Sequence, residues 1–555
     1  MSKYVEMSQG QEARSKIASG VNKLTSAVGA TLGPSGRNVI IEQSVGNPIS
    51  TKDGVTVAKS INLKDPFEDI GVQIVKQASI KTGDQAGDGT TTSTILAGEL
   101  YSSAINTIES TVPISLKNPV DLRRGMEKAG KVASEFLENL SRDISNEQQL
   151  EQVATISGNN DPMVGEIVAL AMKKSGAEGV VTVEESRTGE TYLETVEGMQ
   201  FNRGFLSPYF VTDNKTMRAT LENPSILITS EKINSSKDIL PLLEMCSNQN
   251  KPLLIIAEDL GPEVLSVMVV NKVRGILQVA AVKAPDFGDR KQQTLEDIAI
   301  LTGGTVISKE RGMLLSKLDA NWLGTSRKVS IDKDSTTIID GAGSESDIAV
   351  RMESIKTQID ETKSPYEIEN LQKRLGRLIG GVSVIHVGGF TEVELKERKD
   401  RIEDALHATR AALEEGILPG GGIALLRASA YLKGEGSDKV DLETSGEQLG
   451  YDLLVSALES PLRTILFNSI GDQEKTSKII DDLKESENSW AGYNPRQFEY
   501  VDMYDAGIID PRKVTRLALE NAISVAGTLL TTEAVIALNR EQSSEEQPSF
   551  DMMGM

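Results

Sequence analysis

The sequence predicts a multidomain chain of α and α/β character, in which an α/β domain is inserted into a mostly helical one. Three observations carry that expectation. At 555 residues the chain exceeds what one hydrophobic core supports, so two or three domains are expected. Apolar residues recur at helical spacing before about residue 140 and again after about residue 390. Between about 200 and 380, strand-like and helix-like stretches alternate instead.

In chain order, residues 11–30 place Ala13, Ile17, Val21, Leu24 and Val28 near helical spacing, and Gly33-Pro34 ends that helix. Arg37 to Ser50 reads as a hairpin, with Val39-Ile40-Ile41, a turn at Gly46-Asn47-Pro48 and then Ile49. A lone hairpin is marginal and needs partners. Helices are expected at about 67–82, 90–107 and 119–140, with Ser110 to Leu116 a surface loop. Residues 140–196 shift to short mixed elements, including the strand-like Val180-Val181-Thr182-Val183.

Leu253 to Ala257 and Val279 to Val282 are continuous apolar runs of the kind found in buried strands. Ile239, Leu240, Leu242, Leu243 and Met245 cluster on one helix, and Val264, Leu265, Val267, Met268, Val269 and Val270 nearly cover another. A helix apolar on both sides is normally buried, so the residues alone favour core packing. A charged helical region spans about 348–377, with Ser364-Pro365 opening its second helix. Gly380-Gly381 offers a flexible joint, and Gly198 marks the other crossing. Thr391-Glu392-Val393-Glu394 caps a helix that carries Glu403, Asp404 and His407 and ends at Gly416. Pro419-Gly420-Gly421-Gly422 precedes an apolar helix (Ile423, Leu425, Leu426). Residues 433–446 read as a loop, helices resume to about 485, Ala534 to Leu538 is a terminal strand, and the tail from Glu541 is expected to be disordered.

Composition narrows the function. Lys and Arg total 59 against 81 Asp and Glu, a net charge of −22, which argues against nucleic acid or an anionic membrane as partner. The lone Cys246 excludes an internal disulfide framework and fits a reducing compartment. With only His386 and His407, a histidine-rich metal site is not expected, and His407 is read as structural. No apolar run of about 20 residues suits a transmembrane helix, and no signal or transit pattern opens the chain, so a cytoplasmic location is expected.

The densest chemical signal is Gly87-Asp88-Gly89-Thr90-Thr91-Thr92. Glycines let backbone approach a phosphate, and the helix that begins at the threonines offers free N–H groups and a positive dipole end. Asp88 can hold Mg²⁺, which takes one or two carboxylates with phosphate oxygens and water. Lys52-Asp53-Gly54 is a second acidic loop, and Gly420-Gly421-Gly422 again puts glycines at a helix start. The plain alternative for Gly87–Thr92 is a capped helix after a loop; the run of six such residues favours phosphate. No G-x-x-x-x-G-K-[ST] occurs, so this is not a P-loop.

These motifs, in this order, resemble the group I chaperonins of the GroEL type over nearly the whole chain. Beside Gly87–Thr92, the resemblance rests on Thr31-Leu32-Gly33-Pro34, Thr51 to Val55, Gly198 to Phe201, Leu206 to Phe210, Lys283-Ala284-Pro285, Leu301 to Thr305, Glu403 to Arg410 and Gly420-Gly421-Gly422. It implies a mostly helical split equatorial domain (1–139 and 415–555), a small intermediate domain (140–196 and 383–414) and an inserted α/β apical domain (197–382). It implies ATP at Thr31, Leu32, Gly33, Pro34, Lys52, Asp53, Gly87, Asp88, Gly89, Thr90, Thr91, Thr92, Gly421, Asn494, Ile508 and Asp510. Asp88 would bear Mg²⁺, with K⁺ at oxygens of Thr31, Lys52 and Thr91. Asp404 and Asp53 would position the attacking water, a task for which geometry and electrostatics are expected to suffice without a perturbed pKa.

On the apical domain the resemblance implies that Phe205, Tyr209, Phe210, Leu240, Leu243, Leu265, Val269 and Val270 meet unfolded client protein, reversing the core reading of those helices. Gly198, Gly380 and Gly381 would act as hinges. The implied partners are seven-membered rings of the chain itself, single or double, and a lid-like co-chaperonin. The implied function is ATP-dependent capture, encapsulation and folding; an ATP-independent holdase of the same fold and a metabolic ATPase are the alternatives. Departures from the family pattern are Ser35, Pro495 and Arg496, the shortened Met552-Met553-Gly554-Met555 tail, and Phe467 to Asp481, which lacks the acidic pattern that meets a second ring. Bacterial, plastid and viral origins all fit, and a virus-encoded copy would work in the host cytoplasm.

Overall fold

The computed structural model describes residues 5–43, 48–109, 118–175, 180–186, 189–196, 198–213, 216–315, 318–362, 364–379 and 382–538. The turn at Gly46-Asn47, the loop from Ser110 to Leu116, the joint Gly380-Gly381 and the tail from Glu541 lie outside them. The chain divides into a split unit, Met1–Ala169 with Phe390–Met555, and an inserted unit, Leu170–Gly389.

The first part of the chain forms α1 (Gly10–Gly29), α2 (Gly54–Ser60), α3 (Pro66–Ala86), α4 (Thr90–Glu109), α5 (Pro119–Leu140), α6 (Glu147–Ser157) and α7 (Pro162–Ser175). The inserted unit adds α8 (Ser236–Asn248), α9 (Pro262–Val273), α10 (Asp289–Thr302), α11 (Glu345–Glu361) and α12 (Pro365–Ile379). The last part holds α13 (Glu392–Glu415), α14 (Ile423–Lys433), α15 (Ser445–Ala457), α16 (Ser460–Ile470), α17 (Gln473–Lys484) and α18 (Arg512–Leu530).

Helix ends in the split unit follow local chemistry. Asp65 caps α3 through the N–H groups of Phe67 and Glu68, with Pro66 in its first turn, and Gly87 stops it at φ 75°. Thr391 caps α13 through Glu394 N–H at 3.2 Å, and the Glu394 carboxylate accepts from Phe390 N–H at 3.1 Å. The expected stripe Ala13, Ile17, Val21, Leu24 and Val28 is buried and packs with Val72, Val75, Leu96, Leu100 and Leu519 into one core. Val39–Ile41 and Ile49–Thr51 pair as the expected hairpin. The terminal strand Ala534–Leu538 pairs antiparallel with Val5–Gln9 of the same chain, joining its two ends.

The inserted unit is built on a mixed sheet in the order Val279–Lys283, Leu253–Ala257, Ser225–Thr229, Gly324–Ile331, Thr336–Gly341 and Gly198–Phe201. Its first two strand pairs are parallel and the rest of that path is antiparallel. Leu253 to Ala257 are all buried, as befits a central strand covered on both faces. Asp297 of α10 is buried and ion-paired to Arg351 of α11 and Arg374 of α12, each at 2.8 Å, which ties three helices together. A second sheet in this unit sets Val382–Val387 between Val180–Glu185 and Tyr192–Val196.

Candidate functional site

The segment Gly87–Thr92 is the turn between α3 and α4. Gly87 and Gly89 both have left-handed backbone, φ 75° and 79°. A side chain on Gly87 would lie 2.1 Å from Cβ of His407, so its absence lets α13 press onto the loop. That contact is the structural role expected of His407. Thr90, Thr91 and Thr92 form the first turn of α4, whose leading N–H groups have no intrahelical acceptor. Asp53 caps α2, its two oxygens accepting from Val55 and Thr56 N–H at 3.0 and 2.9 Å. A side chain on Gly54 would meet Thr91 Oγ1 at 1.9 Å, so the two acidic loops are in contact.

Thr31, Leu32, Gly33 and Pro34 form the turn after α1. The Thr31 hydroxyl donates to Val28 O at 2.8 Å, Gly33 has φ 87°, and the Asn468 amide of α16 donates to the carbonyls of Gly29 and Leu32, each at 2.9 Å. Lys52 is half-buried, as is Pro34, whereas Ser35 is exposed.

Carboxylates crowd this site. Asp88 accepts from Gly89 N–H at 2.5 Å and from the Ser157 side chain, yet burial lifts its pKa above the usual carboxylate range and the charge of Asp53 adds to that. Asp404 is raised further, by burial first and then by Asp88, Asp53, Asp400 and Glu403. Helix α13 therefore holds Asp404 within reach of the charges of Asp53 and Asp88. The role expected of Asp404 needs no perturbed pKa, yet the pKa is perturbed here, because carboxylates drawn together out of water cannot all ionise cheaply.

The nucleoside end of the expected site is equally defined. Asp510 Oδ2 accepts from Gly421 N–H at 3.1 Å, and Gly420 N–H donates to Ile508 O at 2.9 Å. Burial, then the charge of Asp88, pushes Asp510 up to about 7, while the Gly421 N–H opposes. The side chain of Asn494 closes on its own turn, donating to Gln497 Oε1 at 2.6 Å and accepting from Arg496 N–H at 3.0 Å. Asn494 ends the strand Ala491–Asn494, which pairs with Glu499–Asp502.

Two participants escaped sequence reasoning. Asp400 stands one helical turn before Asp404 and is pushed up to about 6, chiefly by burial, with Glu403 and Asp53 adding and Lys396 opposing. Its i, i+4 spacing from Asp404 was the available signal. Asn468, which clamps the Thr31–Gly33 turn, gave none.

In the inserted unit the expected client-facing residues divide. Tyr209, Leu240 and Val270 are exposed, and Phe205, Leu265 and Val269 are half-buried. Phe210 and Leu243 belong to the core, at 0 and 5 % exposure, and do not reach the surface. On α8 the buried face is Ile239, Leu242, Leu243 and Cys246, so Leu240 is left outside by helical period alone. Gly198 begins a strand and packs where a side chain would strike Ile338 O at 2.5 Å.

Among the described residues, no helix is long and apolar enough to cross a membrane. A family model described as the TCP-1/cpn60 chaperonin family matches residues 24–540. Among solved structures, the chain is similar to the chaperonin gp146 from the bacteriophage EL 2 (Pseudomonas aeruginosa), at 23% identity and a TM-score of 0.68, over 96% of this chain and 98% of that one.

Proposed function

The chain belongs to the TCP-1/cpn60 chaperonin family, and from that premise we propose that it is an ATP-driven machine that captures unfolded polypeptides and encloses them to fold. One observation carries the ATP-driven part: α13 packs against Gly87 through His407, and its Asp404 stands within reach of the charges of Asp88 and Asp53. The similar phage chaperonin was solved in the presence of ATP-BeFx, which accords with a nucleotide here.

In this reading, the α4 N-terminus and Gly89 hold the phosphates through backbone N–H groups. Among the described residues, no three His, Cys, Asp or Glu side chains form a metal cage. A divalent ion shared with phosphate oxygens needs no such cage. Asp88, buried beside other carboxylates, fits Mg²⁺, which would neutralise charge on the phosphates when bound. Oxygens of Thr31, Lys52 and Thr91 would serve K⁺. Asp404 and Asp53 orient the attacking water, and their effect is positional. Asp510 accepts from ribose hydroxyls, while Ile508 and the strand ending at Asn494 flank the base. Hydrolysis drives hinge motion at Gly198 and Gly380-Gly381, lifting the apical domain, residues 197–382. Tyr209, Leu240 and Val270 grip clients through non-directional apolar burial, at roughly 25 cal/mol per Å². The machine is a ring of seven, single or double, working with a co-chaperonin lid in a cytoplasm.

The test is refolding of a denatured, aggregation-prone enzyme without nucleotide, with ATP, and with ATP and Asp404→Ala, with ATP turnover measured in parallel. ATP-dependent recovery that Asp404→Ala largely loses supports the reading. Capture without ATP-dependent release, even with a co-chaperonin added, leaves a holdase. Turnover without capture leaves a metabolic ATPase.

A further inference from the structure

Arg427 lies on α14, one turn after its start at Ile423, and is 6 % exposed. Among the described residues its guanidinium touches no carboxylate. It donates instead to four backbone carbonyls: Leu483 at 2.7 Å, Ser486 at 3.3 Å, Asn488 at 3.0 Å and Ala491 at 2.9 Å. These acceptors are the end of α17 and the connection from it into the strand Ala491–Asn494. Burying a guanidinium is costly unless it is fully hydrogen-bonded, and here only Nε lacks a partner. So rigid a clamp on a surface connection needs a reason.

The reason lies in what the clamp holds. Asn488, whose carbonyl Arg427 grips, donates through its amide to Asp502 Oδ2 at 2.9 Å. Asp502 Oδ1 in turn accepts from Tyr504 N–H at 2.9 Å, and Met503 O accepts from Ile508 N–H at 2.9 Å. Gly492 packs so closely that a side chain there would lie 2.4 Å from Met503 Sδ and 3.1 Å from Ile423. One continuous path of bonds thus runs from α14 to the hairpin that carries Asn494 and to the turn that carries Ile508. Helix α14 also follows directly on Gly421-Gly422, and Asp510 is held by Gly421 N–H.

We propose that Arg427 is a positioning residue that fixes the nucleoside wall of the pocket against α14, while the phosphate end is fixed independently by Gly87–Thr92 and Asp53. This rests on the nucleotide reading of the pocket. Arg427 touches no ligand; it sets the gap between the hairpin and the Gly420–Gly422 turn, and with it affinity for the nucleoside.

The test is calorimetric binding of Mg-ADP and of Mg-tripolyphosphate, which lacks the nucleoside, to the full protein and to Arg427→Met. The expected result is about tenfold weaker ADP binding with tripolyphosphate affinity within about twofold of the parent. Equal loss of both ligands makes Arg427 a purely structural residue and overturns the proposal, as does unchanged ADP binding. If Arg427→Met fails to fold, Asn488→Ala cuts the same path more gently and is expected to weaken ADP alone, by about threefold. Failure of the parent to bind either ligand sinks the nucleotide reading itself, a result distinct from the failure of Arg427.

Discussion

Five carboxylates of the split unit, Asp53, Asp88, Asp400, Asp404 and Asp510, come from distant parts of the chain to within reach of one another's charge, and among the described residues the inserted unit has nothing comparable. Its buried carboxylate Asp297 is neutralised by two arginines, and among the apolar side chains it exposes are Tyr209, Leu240 and Val270, which sit beside the core-facing sides of their helices. The pocket depends on backbone: Asp53 is a helix cap, and Asp88 follows the left-handed glycine that ends α3. The apolar set depends on which face of a helix is left over after the core is filled. Small backbone errors should therefore ruin the first, whereas side-chain exchange should be tolerated at the second and not one turn beneath it.

The largest effect separates core from surface within the inserted unit. Phe210→Ala empties a fully buried site and should cost about 3–5 kcal/mol. Hydrogen exchange of the strand Val279–Lys283 should report it as lost protection. Unchanged protection would return Phe210 to the surface and restore the wider client patch. Next comes the split unit's dependence on backbone. Gly87→Ala forces a side chain into His407 and strains φ 75°, lifting α13 and Asp404 from the loop. ATP turnover should fall by roughly a hundredfold. Adding His407→Gly should recover part of the loss; no recovery would mean that the strain at Gly87, not the position of α13, matters.

The same contrast explains what was legible in the sequence. Helix ends, the Gly87–Thr92 turn and the buried strands were readable because their signals are local: a cap, a glycine or an unbroken apolar run. Asp404 could be placed at the phosphate end only through resemblance, because nothing near it in the chain points to Asp88. The Arg427 clamp was invisible, since its four acceptors are backbone carbonyls and carry no residue signature. Phe210 and Leu243 were misplaced because resemblance transfers a motif but not the phase of a helix or turn against its core.

A smaller effect concerns charge. Asp400, Asp404 and Asp510 have folded pKa values above their unfolded ones. Their stabilising share is complete below the unfolded value, near 4, and is lost as pH rises through the folded values, about 6 for Asp400 and about 7 for Asp510. Nucleotide-free protein should therefore melt at a lower temperature at pH 8 than at pH 5.5, and Asp404→Asn should flatten that slope while slowing turnover. A slope unchanged by Asp404→Asn would mean that the crowding is relieved by some other route.

The smallest effect on stability is expected where the effect on function is specific. Tyr209 is 67 % exposed, so Tyr209→Ser removes little buried surface and should change stability by no more than about 0.5 kcal/mol. Capture of a denatured enzyme should nonetheless weaken, and adding Leu240→Ser should weaken it further, because each removes apolar area that a client would cover. ATP turnover without client should not change, since neither residue lies in the split unit. If capture survives both substitutions, the gripping surface lies elsewhere; if turnover falls with it, the two units do not divide the work.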